Sequence, residues 1–224
     1  MPRIARVVVK DCPHHITQRG NYKQITFSED SDYQRYLELI KEYSDKNKLL
    51  IISYCLMPNH VHFIAVPINQ DSFARTFNSA HMRYSQYYNK KNGVSGHLWQ
   101  GRFYSCALDE KHLYEAVRYV ENNPVRAGLV MSAKDWKYSS AKAHGSGNSS
   151  LGELTLLKIN RYVQVADWDK YLNERTDGAV VELIKGNTLT GRPSGSSSFV
   201  RKLEQVFGMR LTPLSEGRPK KAKN

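Results

Sequence analysis

The 224-residue chain is predicted to fold as an α+β domain, with helices packed on one face of a single sheet and a small helical extension at the C-terminal end. Three observations lead there. Strand-like and helix-like segments follow one another as strand, helix, strand, strand, helix, strand, helix. Two apolar runs, LLIISYCLM at 49–57 and HVHFIAV at 60–66, are parted only by Pro58 and Asn59, which marks a hairpin. Near residue 144 the composition turns to Gly and Ser in HGSGNSSLGE, which reads as a linker.

CPHHITQ, residues 12–18, reads as the first strand, and Arg19-Gly20-Asn21 as the turn after it. From Asp30 to Lys46 the apolar residues Tyr33, Tyr36, Leu37, Ile40 and Tyr43 recur at helical spacing, with Ser28, Glu29 and Asp30 as caps. The hairpin follows. Residues 71–90 form a second helix, with Phe73, Phe77, Ala80, Tyr84, Tyr87 and Tyr88 along one side. LWQGRFYSCAL, 98–108, reads as the last strand. Glu110 to Asn123 is a third helix, closed by Pro124. Beyond it lie a weakly patterned stretch, a second linker, TGRPSGSSS, and a short amphipathic helix with Phe199, Leu203, Val206 and Phe207. The expected organisation is a domain over 1–143, a linker and extension over 144–190, and a short helix with a basic tail over 191–224.

Formal charge is +12, from 33 Lys and Arg against 21 Asp and Glu. A solvated surface needs no such imbalance, so a polyanionic partner is expected. The three cysteines, Cys12, Cys55 and Cys106, are widely spaced. That pattern argues against a zinc knuckle or a disulfide framework and suits a reducing cytoplasm. MPRIARVVVK is too short and basic for a secretory leader, and no apolar run approaches the roughly 18 residues of a membrane span. The expectation is a cytoplasmic protein without a membrane partner.

Two constellations carry chemistry. In a strand, His60 and His62 share one face about 7 Å apart, while Val61 points the other way. Two such imidazoles can chelate a divalent ion. A third histidine at position 64 would have suggested a nucleotide hydrolase, but Ile64 stands there. In the third helix, Tyr119 and Asn123 are four apart and reach the same point in space. A packed helix tyrosine and a C-terminal cap are the plain alternatives.

MPNHVHFI, WQGRFYS and RYVENNPVRAGLV, in that order, resemble the single-tyrosine HUH transposases, named for His, hydrophobic residue, His. The REP-associated tyrosine transposases are the closest branch, and the resemblance covers about residues 10–140. It implies a ferredoxin- or RRM-like antiparallel sheet with His60 and His62 on a central strand. It implies Tyr119 as nucleophile, forming a 5′-phosphotyrosine, and His60, His62 and Asn123 as ligands of magnesium or manganese. Single-stranded or hairpin DNA is the implied substrate and partner, cleaved and rejoined during transposition by a monomer or a homodimer.

Arg19, Arg83, Arg102, Arg118 and Arg126 are candidate phosphate contacts, and Trp99, Phe103 and Tyr104 candidate stacking rings. Asp109, Glu110 and Glu115 are acidic groups that could handle metal or protons. The tail EGRPKKAKN resembles half of an AT-hook, with Glu216 breaking the match. Two other readings stay open: an RRM-like binding module without catalysis, and a DNA-binding regulator acting through residues 180–224.

Overall fold

The structure is a computed structural model and describes residues 6–147, 154, 156 and 159–213. Strands β1 (His14–Arg19), β2 (Leu49–Met57), β3 (His60–Pro67) and β4 (Tyr104–Ala107) form one antiparallel sheet in the order β2-β3-β1-β4. Helix α1 (Asp30–Lys46) joins β1 to β2, and α2 (Ser72–Asn92) joins β3 to β4. This is the ferredoxin-like arrangement, as expected.

Local signals start and stop the elements. A reciprocal capping box between Glu29 and Asp32 opens α1. Gly93, in the left-handed region at φ 63°, closes α2. The expected last strand, 98–108, shortens to Tyr104–Ala107. Gly101 breaks the extended path at φ 110°, and Leu98 and Trp99 turn into the core beneath α1 and α2. Helix α3 (Glu110–Glu121) stops two residues before its expected end. Pro124 does not end the helical path; it sits in the first turn of a short helix, α4 (Asn123–Arg126), where its missing N–H costs nothing.

One-sided packing holds for α1 and α2, whose Tyr36, Ile40, Phe73 and Phe77 cover Ile16, Leu56 and Phe63. The opposite face carries α3 and also α7 (Gly178–Thr190). The reason is that β2 and β3 are apolar on both faces. A bulge at Ile52 lets Ile52 and Ser53 both face α3, while Ile51 and Tyr54 face α1 and α2. Ile52, Ile64 and Val66 then need cover, which Leu113, Val117, Val120, Val181 and Ile184 provide.

The boundary expected at residue 143 is therefore not a break in packing. Helices α5 (Ala141–Gly145) and α6 (Trp168–Asn173) meet α3 at the buried carboxylate of Glu121. It accepts from Ser53 Oγ at 3.0 Å, His144 Nδ1 at 2.6 Å and Trp168 Nε1 at 2.9 Å, as well as from Ser140. TGRPSGSSS is not a free linker either. Ser194 N–H donates to Ala107 O at 2.8 Å and Asp109 N–H to Ser194 O at 3.1 Å, so the segment makes a single parallel bridge to Leu108 beside β4. Helix α8 (Ser197–Phe207) then packs Leu203 against Val7, Ala107 and Leu211. The half AT-hook and part of the Gly/Ser linker lie outside the described residues.

Candidate active site

The pairing register builds the site. Thr17 lies opposite His62 and Arg19 opposite His60, so all four side chains share the sheet face that α3 crosses. The rings of His60 and His62 have centroids 5.0 Å apart. Tyr119 comes down from α3 and meets His62 edge-on at 5.5 Å and His15 at 6.0 Å. Together with Asn123, Arg126 and Lys185 they line a cavity of about 530 Å³.

Hydrogen bonds settle which ring nitrogens are open. Asn59 Nδ2 donates to Lys23 O at 3.2 Å, so its Oδ1 faces His60 and accepts from Nδ1–H at 2.6 Å. His60 Nε2 keeps its lone pair. His62 Nδ1 lies 2.9 Å from His15 Nε2. Burial drives both histidines towards the neutral form that ligates metals. It pushes His60 down to about 4, helped by the Arg19 charge. It lowers His62 further below the ordinary range, with His60 and His15 adding to the effect.

The Asn123 amide donates Nδ2 to Tyr119 O at 2.9 Å and to Val120 O at 3.3 Å. Its Oδ1 is the amide atom left for another partner, so capping and ligation are compatible. Among the described residues no three His, Cys, Asp or Glu side chains form a metal cluster. Two neutral imidazoles and one amide oxygen nevertheless suit an ion of mixed nitrogen and oxygen preference, such as manganese. Burial raises the Tyr119 phenol above its ordinary value, opposed by the charges of Arg126 and Arg19 and by Asn123. The Arg126 guanidinium lies 5.0 Å and the Lys185 ammonium 5.4 Å from the Tyr119 ring centre. An anion entering the cavity would meet both cations.

Residues 8–123 match the protein family described as "Transposase IS200 like". The chain belongs to this family. A Haemophilus influenzae protein described as a REP-associated tyrosine transposase is 33% identical over 109 residues, covering 40% of this chain and 57% of that one. The REP-associated tyrosine transposase of Escherichia coli is 26% identical over 112 residues, covering 49% of this chain and 65% of that one. The chain thus spans less than two thirds of either relative's length. A solved structure of a REP-associated tyrosine transposase bound to a REP hairpin shares the fold. Its TM-score is 0.53 at 19% identity, covering 80% of this chain and 100% of that one.

In this IS200-like chain the expected residues sort by position. Tyr119, His60, His62, Asn123, Arg19, Tyr104 and Arg126 line the one cavity. Arg102 is exposed beside a small recess that adjoins the cavity through Tyr104, Thr188 and Leu189. Arg83 is exposed on α2, across the sheet. Three candidates are structural instead. Arg118 is buried, bonded to Tyr171 O at 2.9 Å and ion-paired with Glu115 and Glu174. Trp99 is buried and donates its indole N–H to His81 O at 3.2 Å. Phe103 is held between Phe77 and the Arg6 guanidinium. A ring buried in this way offers nothing to a base.

Asp109 caps α3 by accepting from His112 N–H at 3.0 Å, and Glu115 is occupied by Arg118. Neither acts at the cavity. The sequence reading missed His15, Lys185 and Thr188. The last two sit on α7, whose ends were marked by Asp177 as N-cap and Gly191 in the left-handed region. No helix among the described residues is long and apolar enough to cross a membrane.

Proposed function

We propose that this chain cleaves and rejoins single-stranded or hairpin DNA through Tyr119, in the manner of a metal-dependent HUH transposase. One observation carries the reading. The Tyr119 ring meets the His62 ring edge-on in one cavity that His60, Asn123, Arg19, Arg126 and Lys185 also line.

The reaction asks little covalent work of the protein beyond the nucleophile. The phenol oxygen of Tyr119 bonds to the scissile phosphorus as the bond to the 3′-oxygen breaks, leaving a 5′-phosphotyrosine and a free 3′-hydroxyl. Attack of a 3′-hydroxyl on that phosphotyrosine reverses the step without ATP. Arg126 and Arg19 favour the phenolate electrostatically, against the burial that opposes it. They and Lys185 neutralise the phosphate oxygens. Magnesium or manganese, held by His60, His62 and Asn123, would add charge neutralisation at the scissile phosphate.

The test is incubation with a labelled hairpin carrying single-stranded flanks, in manganese. The expected product is a protein–DNA adduct that survives denaturation. Tight binding with no adduct would replace this reading by that of a binding module.

A further inference from the structure

We propose that Thr188 and His15 form a relay that holds His62 in the tautomer able to accept a metal, making α7 a working part of the site. The inference rests on the function proposed above and goes beyond residues 8–123, since α7 spans Gly178–Thr190.

The Thr188 hydroxyl lies 2.7 Å from Ile184 O. A carbonyl has no proton to give, so at that separation the hydroxyl must donate. A hydroxyl has only one proton. Thr188 Oγ1 therefore receives whatever faces it, and His15 Nδ1 faces it at 2.8 Å. Nδ1 of His15 must carry hydrogen, which leaves its Nε2 as an acceptor. That Nε2 meets His62 Nδ1 at 2.9 Å, so His62 must donate from Nδ1 and keep a bare Nε2. Reversing any one hydrogen bond would reverse the rest and place a proton on His62 Nε2, where no metal could bind. The two rings are 12° from parallel with centroids 5.1 Å apart, which suits an in-plane N–H···N bond between them. Both ring nitrogens of His15 and Nδ1 of His62 have protein partners, so the chain of bonds closes without water. His15 and Thr188 are thus positioning residues, acting through His62.

The test reads ring nitrogens directly in metal-free protein labelled with 15N-histidine, by long-range proton–nitrogen correlation. Wild type should show His62 protonated at Nδ1 and bare at Nε2. Thr188→Val keeps the side-chain shape and removes the acceptor. It should introduce the second tautomer at His62 and weaken manganese binding by about ten- to a hundredfold. Thr188→Ser should restore both. In a His15→Gln background the amide oxygen can accept from His62 unaided, so adding Thr188→Val should leave His62 unchanged. A proton on His62 Nε2 in the wild type, or a purely Nδ1–H His62 in Thr188→Val, would overturn the relay. Manganese affinity that His62→Ala leaves untouched would instead defeat the metal reading of the site, while the ring-nitrogen result still judges the relay.

Discussion

The Tyr119 ring stands edge-on to the His62 ring, with centroids 5.5 Å apart, so a helix and a strand far apart in sequence present a phenol and an imidazole to one cavity. Tyr114 lies on the same helix, but its hydroxyl accepts from Gln164 N–H at 2.8 Å, in the extension. Tyr119→Phe should abolish the denaturation-resistant adduct and leave hairpin affinity nearly unchanged. Tyr114→Phe should still form the adduct, seen as a shifted band on a denaturing gel. The reverse pattern would mean that the nucleophile is the wrong ring of α3.

Removing either imidazole leaves the proposed ligand set incomplete. His60→Ala or His62→Ala should slow cleavage by at least about a hundredfold, the scale of losing one electrostatic stabiliser. Manganese affinity, followed by calorimetry, should drop in parallel. Asn123→Ala should be milder and partly rescued by high manganese, because water can replace an amide oxygen. Rates insensitive to both histidines would remove the metal from the mechanism.

Cations that border the cavity should matter more than those remote from it. Arg126→Gln and Lys185→Gln should each weaken hairpin binding and reduce the slope of log affinity against log salt by about 0.7 to 0.9. Arg83→Gln, on the far side of the sheet, should change neither. Equal effects from all three would point to diffuse attraction with no defined track.

Trp99 separates packing from stacking. Trp99→Ala should destabilise the fold by about 3 to 5 kcal/mol, as loss of a buried indole does. Measured under conditions where the variant stays folded, hairpin affinity should match wild type. A selective loss of affinity with unchanged stability would return Trp99 to the DNA surface.

The buried Glu121 gives a pH dependence with a definite sign. Burial alone would raise its pKa, but the His144 charge and the bonds from His144, Ser140 and Trp168 lower it below the ordinary carboxylate range. A carboxyl with a lowered folded pKa stabilises the fold above its unfolded pKa, and that contribution is lost as pH falls through the folded value. Urea midpoints of the wild type should therefore fall on acidification, and those of Glu121→Gln should fall less. At neutral pH Glu121→Gln should cost about 3 kcal/mol, since it breaks a buried pair from one side. Parallel profiles for the two proteins would show that Glu121 is not the acid-sensitive group.

The sequence by itself determined what depends on neighbours a few residues away. Alternation placed His60 and His62 on one face and turned Val61 into the core. Helical spacing set Tyr119 above Asn123, and the cap residues located α1. Tertiary structure alone decided which candidates could act. Arg118, Trp99 and Phe103 look like Arg126 and Tyr104 in a linear reading, and only packing shows that the first three are enclosed. Helix α7 escaped notice because its buried residues, Val181, Ile184 and Thr188, include a polar one and its span contains Gly186. His15 and Thr188 stand 173 residues apart and meet at 2.8 Å. Periodicity reports which face of an element is buried; it carries no information about what covers that face, because covering is a property of the whole packed chain.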